Sequence, residues 1–129
     1  MKIVNVMKRG SLRLGFQKGD SIIDALTAAR ALGVGRPAWF KDTISFIKSG
    51  DEGLAAARKI VSSAPKTATA KRSAVKLGAP IIPTTILASG SNYIEHNQEK
   101  ANLPISGKEV EFFIMTGDCV IGTDEDSIT

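Results

Sequence analysis

The chain has 129 residues, 43% of them hydrophobic, with 17 Lys/Arg against 13 Asp/Glu and a formal charge of +4. That is enough for a domain with a real core and too apolar for disorder. No apolar run approaches a membrane span, Met1–Gln17 lacks the continuous apolar stretch of a signal peptide, and a single cysteine, Cys119, excludes an internal disulfide framework. The lone thiol fits a reducing compartment, so a cytoplasmic location is expected, with no membrane partner.

Lys2–Met7 and Leu12–Gln17 read as two strands joined through Lys8-Arg9-Gly10-Ser11 into a hairpin. A second turn, Lys18-Gly19-Asp20, leads into a short strand at Ser21–Ile23. Asp24 can cap a helix from about Ala25 to Leu32, which Gly33, Gly35 and Pro37 end. Trp39 and Phe40 are expected to anchor a local core. Asp42–Ser49 predicts a short helix with Ile44, Phe46 and Ile47 on one buried face. Asp51 opens a stronger helix with Leu54, Ala57, Arg58 and Val61 near helical spacing, and Pro65 stops it. Lys66–Arg72, polar and small, reads as a loop or weak helix open to nicking.

Ala79-Pro80-Ile81-Ile82-Pro83 reads as an extended linker, because each proline biases its predecessor away from helix. The composition shifts near Gly78, which predicts an N-terminal domain over 1–78 and a second over 79–129. Ile81–Ala88 is apolar and suggests a buried strand, with Thr85–Ala88 as its firm part. A short helix over Tyr93–Lys100, a loop around Pro104 and Gly107, a strand at Val110–Met115 and a brief one at Val120-Ile121 follow. Asp124-Glu125-Asp126 is turn-like. About fifty residues with two or three strands cannot bury a sheet on both sides, so the apolar Val110–Met115 strand needs neighbours. The fold class expected is α+β.

Charge is unevenly divided. Met1–Gly78 carries 15 Lys/Arg and 5 Asp/Glu, whereas Ala79–Thr129 carries 2 Lys and 8 Asp/Glu. The basic residues are scattered over several elements and not interleaved with aromatics, which argues against nucleic acid as a partner. A solvated basic half beside an acidic half is the plainer reading.

Ser89–Glu99 concentrates the chemistry. It holds the only histidine, the only tyrosine and three carboxamides, directly after an apolar strand. Asn92 and Glu95 have the spacing of a capping box. On a helix from Tyr93, Glu99 lies at i+3 from His96 and shares its face. A carboxylate beside an imidazole raises its basicity and fixes its tautomer, which suits a general base acting on water. A solvated helix face and a purely structural cap explain the same spacings. His96 with Glu95 or Glu99 lacks the two-histidine pattern of common zinc motifs. Gly15, Gly19, Gly33 and Gly35 form no phosphate-binding fingerprint. Cys119 has no nearby basic residue to activate it and reads as a packed or incidental thiol.

The run Ile86–Glu99 resembles the start of the catalytic domain of the fumarylacetoacetate hydrolase family, a strand and a glycine followed by Asn-Tyr-x-x-His-x-x-Glu, matched here by Asn92, Tyr93, His96 and Glu99. Glu111-Phe112-Phe113 and Asp118–Gly122 resemble that family's next strand and turn, and the hairpin and helices before Gly78 look like its small N-terminal domain. The resemblance implies an N-terminal α+β domain followed by the first strands and helix of a β-rich catalytic domain. It implies a metal-dependent enzyme using Mg²⁺ or Mn²⁺ on oxo-acid or 1,3-dicarbonyl substrates, by hydrolysis, decarboxylation or hydration, and a homodimer at full length. His96 would be the base, Glu99 would orient it, and Asn92 and Tyr93 would shape the substrate pocket. The family's metal carboxylates, a Glu-x-Glu pair and a later Asp, are not matched. Glu109-x-Glu111 has the spacing but stands too early, and Met115 replaces a lysine that many members carry. The expectation is therefore the front portion of such an enzyme, inactive alone, with no metal ligand in this chain. The alternative is a non-catalytic interaction or assembly module.

Overall fold

The computed structural model describes residues 1–90, 95, 99 and 112–124. It is an α+β chain that divides into two compact units, Met1–Ile81 with Ile121–Thr129, and Ile82–Val120.

The first unit is built on a five-stranded antiparallel sheet whose strands run, from one edge to the other, Thr69–Lys71 (β4), Ser21–Asp24 (β3), Ser11–Lys18 (β2), Lys2–Lys8 (β1) and Lys76–Gly78 (β5). Strands β1 (Lys2–Lys8) and β2 (Ser11–Lys18) form the expected hairpin. Its two-residue loop, Arg9-Gly10, has φ of 52° and 76°. Positive φ at both positions twists the loop with the strands, and Gly10 adopts it without steric cost. β3 (Ser21–Asp24) follows directly.

Helix α1 (Ala25–Leu32) starts where Asp24 accepts the Thr27 N–H at 2.8 Å. It ends in a Schellman turn at Gly33, with the Gly33 N–H donating to Arg30 O and the Val34 N–H to Ala29 O. Helix α2 (Thr43–Lys48) is capped by Asp42, which accepts from the Ser45 N–H at 2.7 Å and from its hydroxyl at 2.9 Å. The Ser45 N–H is the main reason the Asp42 carboxyl lies below the usual carboxylate range; desolvation opposes the shift.

Alternate positions of β2, Leu14 and Phe16, face the helices together with Ile23. Phe16, Phe40 and Phe46 form an aromatic triad with centroids 5.3 to 6.3 Å apart. Trp39 packs against the edge of this core, and Arg36 lies over its ring.

Two helix faces differ from those expected. α2 buries Thr43 and Phe46 and leaves Ile44 and Ile47 exposed. Residues 43 and 46 form one i,i+3 stripe and 44 and 47 another, so a helix this short buries only one. The Phe46 stripe wins because its ring completes the triad and Thr43 is hydrogen-bonded below it. α3 (Gly50–Ser63) buries Gly53, Ala56, Ala57 and Ile60, with Arg58 exposed and Leu54 and Val61 half-buried. Small residues on that stripe let α3 approach closely; a Cβ at Gly53 would strike the Ser49 side chain.

Lys66–Arg72 is not merely a loop. After a 3-10 turn at Lys66–Ala68 come β4 (Thr69–Lys71), paired with β3, and then β5 (Lys76–Gly78), paired with β1. These edge strands lie at opposite ends of the sheet order, yet only Arg72–Val75 joins them. A flat five-stranded sheet would hold its edges about 19 Å apart. Five residue steps span at most about 18 Å, and a 3-10 turn shortens the path. The sheet is therefore curled. Gly15 marks the crowded inside of the bend, where a Cβ would meet Val4, Ile22 and the Ile23 carbonyl.

The segment after β5 carries no regular structure, and it is anchored. Asn5, buried on β1, donates its amide to the Ala79 and Pro80 carbonyls at 2.9 and 2.8 Å and accepts the Thr43 hydroxyl at 3.0 Å. The chain returns to this unit at Ile121. Asp124 accepts the Leu77 N–H and the Arg72 guanidinium, both at 2.8 Å, and its own N–H donates to Leu77 O. The Leu77 N–H and then Arg72 hold the Asp124 carboxyl below its ordinary range.

In the second unit, β6 (Ile86–Ser89) and β7 (Phe112–Met115) pair antiparallel, Ser89 opposite Phe112 and Ile86 opposite Met115. The strand expected over Ile81–Ala88 forms only in its second half, as β6, and it is not buried. Residues 81–85 are irregular, and Leu87 is 64% exposed. Two prolines deny Ile81 and Ile82 a ladder, and four-residue strands in a pair leave both faces uncovered. Val120-Ile121 forms no strand, since a 3-10 turn at Gly117–Cys119 precedes it and no ladder partner is opposite. Gly117 fits because a Cβ there would strike the Pro83 carbonyl.

Candidate active site

Strand β6 delivers the chain to Ser89 and Gly90, and the polar segment begins there. Glu95 and Glu99 are both helical and exposed. Asn92, Tyr93 and His96 lie outside the described residues, as do Glu109, Val110 and Glu111. Of the four residues singled out for substrate and proton chemistry, the structure thus places Glu99, on a helix, three residues after His96 in sequence.

The surroundings of β6 are set by β7. Phe112, Phe113 and Ile114 are each more than half exposed, and Met115 is 36% exposed. Beyond β7, the Asp118 carboxyl is held low, first by the Thr116 hydroxyl and then by its own backbone N–H. Cys119 ends the 3-10 turn as an exposed free thiol, not a packed one.

Among the described residues no three His, Cys, Asp or Glu side chains converge closely enough to hold a metal ion. Glu95 and Glu99 alone give two hard oxygen donors, short of what Mg²⁺ takes from protein and water in an octahedral shell. The described residues thus do not fit the metal that the sequence resemblance implies, and no ligand is assigned. No helix among them is long and apolar enough to cross a membrane.

Three features were not anticipated from sequence. Asn5, Arg13 and the Arg72–Asp124 pair all lie in the first unit. Asn5 was detectable in principle, since it interrupts the Ile3, Asn5, Met7 alternation on the face that carries Leu14 and Phe16. Arg72 and Asp124 are 52 positions apart, and no local pattern connects them. No protein-family model and no curated protein matches this chain.

Proposed function

We propose that this chain is the front portion of a fumarylacetoacetate-hydrolase-type enzyme, carrying the acid–base half of a site that hydrolyses, decarboxylates or hydrates oxo-acids or 1,3-dicarbonyl compounds. The observation that carries this reading is the order strand β6, Gly90, Asn92-Tyr93-x-x-His96-x-x-Glu99, with Glu99 in helical conformation. That spacing suits a carboxylate that accepts one imidazole N–H and leaves the other nitrogen free to take a proton. In hydrolysis, His96 removes a proton from water as its oxygen adds to the substrate carbonyl carbon. The carbon–carbon bond then breaks, its electron pair going to the neighbouring oxo group as an enolate, and a proton returns to carbon. Asn92 and Tyr93 supply polar groups for the substrate's oxygens. Mg²⁺ or Mn²⁺ is the cofactor this reading carries, with its ligands supplied by residues other than those of this 129-residue chain.

The test is turnover of an acylpyruvate and of oxaloacetate by the natural full-length protein. His96→Ala is expected to abolish it, and Glu99→Gln to lower it about 10²-fold, with Mg²⁺ affinity by calorimetry unchanged. Retained turnover in His96→Ala removes the histidine from the mechanism. Tight stoichiometric Mg²⁺ or Mn²⁺ binding by the 129-residue chain alone would refute the assignment of the ligands elsewhere.

A second reading, a non-catalytic assembly module, is favoured by the uncovered apolar side chains Leu87, Phe112, Phe113 and Ile114. Size-exclusion chromatography at low and high salt separates the two. A discrete oligomer at both salts with an inactive full-length protein supports assembly. A salt-insensitive monomer favours the enzyme fragment.

A further inference from the structure

The curled sheet of the first unit holds a cleft of about 360 Å³ that the motif around His96 does not use. Its wall comes from β1, β2 and β3, from Thr27 of α1, and from the stretch running from Thr67 through β4 to the start of β5. The register explains its chemistry. Val6 pairs with Arg13, Gly15 with Asp24, and Ile22 with Ala70. These residues share the sheet face opposite Leu14 and Phe16. An arginine and an aspartate therefore stand among aliphatic side chains on the inside of the bend.

Arg13 is the unusual member. It is half-buried, and its Nε–H is shielded from solvent without a hydrogen-bond partner among the described residues. A buried donor of a charged group left unmade is costly, so such groups are rare unless a ligand or water completes them. Asp24 does not resolve the matter: one of its oxygens caps α1, and neither oxygen accepts the Arg13 Nε–H. Lys8 and Lys76, both exposed, also belong to its lining, so three cationic residues stand against one carboxylate there. That surplus of positive charge draws an anion. A guanidinium fork, with Nε and one Nη donating in parallel, matches a carboxylate. Alongside Thr27, Thr67 and Thr69, the lining includes Val6, Ile22 and Val75, which offer apolar cover that a bare inorganic ion would not use. The volume is at the small end for ligand pockets, about 300–1,000 Å³.

We propose that this cleft binds a small organic carboxylate, gripped by Arg13 with its alkyl body against Val6, Ile22 and Val75. The inference rests on the first unit alone and holds whether or not His96 is catalytic.

Hexanoate is the probe, followed by amide chemical shifts of the ¹⁵N-labelled 129-residue chain. The expected result is saturable shifts at Val6, Ile22 and Val75 with Kd of about 1 mM. Lys76→Gln, on the exposed rim, is expected to weaken binding two- to threefold with an unchanged melting temperature. Arg13→Gln is expected to weaken it at least tenfold. Arg13→Lys keeps the charge but loses the fork, and is expected to weaken binding several-fold if Arg13→Gln does not fold. Four results would each overturn the proposal. They are the absence of saturable shifts, equal affinity for hexan-1-ol, equal affinity for inorganic phosphate, and unchanged affinity in both Arg13→Lys and Lys76→Gln.

Discussion

Replacing Asn5 with alanine removes three hydrogen bonds at once, two donated to Ala79 O and Pro80 O and one accepted from Thr43. Asn5 and Thr43 are 6% and 5% exposed, so water does not readily replace the lost partners. At about 1 kcal/mol for each bond, with a further penalty for the stranded Thr43 hydroxyl, the expected loss is about 3–4 kcal/mol. For a chain of this size that lowers the melting temperature by about 10 °C. Asn5→Asp separates hydrogen bonding from packing. It keeps the shape but turns a carboxylate oxygen toward two carbonyl oxygens. Its folded pKa is raised, so the variant's instability is smallest at acid pH and grows as pH rises above about 3.9. The assay is thermal unfolding by circular dichroism at pH 3 and pH 7, with an Asn5→Ala/Thr43→Val cycle to isolate the buried pair. A loss below about 1 kcal/mol for Asn5→Ala, or an Asn5→Asp variant indifferent to pH, would refute the reasoning.

Two further outcomes follow from the first unit. Asp42 has a depressed carboxyl, so its capping contribution is complete above the unfolded value near 3.8 and is lost as pH falls through the folded value. The melting-temperature gap between wild type and Asp42→Ala should therefore be widest at pH 5 to 7 and close below pH 3; a gap constant with pH contradicts the cap assignment. Gly122→Ala would drive a Cβ into the backbone of Gly78 and Ala79. We expect about 1–3 kcal/mol of destabilisation and faster proteolysis near residue 122, and an unchanged digestion pattern would argue against this contact.

Local signals made the first hairpin and α1 readable, because Arg9-Gly10, Asp24 and Gly33 each act on backbone within a turn of themselves. β4 and β5 were not readable. Thr69-Ala70-Lys71 and Lys76-Leu77-Gly78 are three residues long, and their strand character comes from β3 and β1. The faces of α2 and α3 were misjudged because large aliphatics suggested burial, whereas Thr43, Gly53 and the alanines permit closer packing. At the candidate site, the residue types and spacing of Asn92, Tyr93, His96 and Glu99 were visible in sequence. The strand before them and the helical state of Glu99 were legible too, and β6 and the helical Glu99 agree with both. Arg13 escaped notice because a charged residue in an alternating strand normally points to solvent. Only the curl, made by distant strands, turns it inward.

The return of Ile121–Asp124 to the first unit also orders events during synthesis. When Ile81 has emerged from the ribosome, the sheet has its five strands, but Arg72 and the Leu77 N–H still lack Asp124. Roughly forty more residues must be translated before that clasp can close, about 2–8 s at ordinary elongation rates. During this interval the Lys76–Gly78 edge is open to pairing with another chain. Ribosome pausing within codons 82–120 would lengthen that exposure, so the yield of folded protein should depend on translation speed there more than on speed in the first eighty codons.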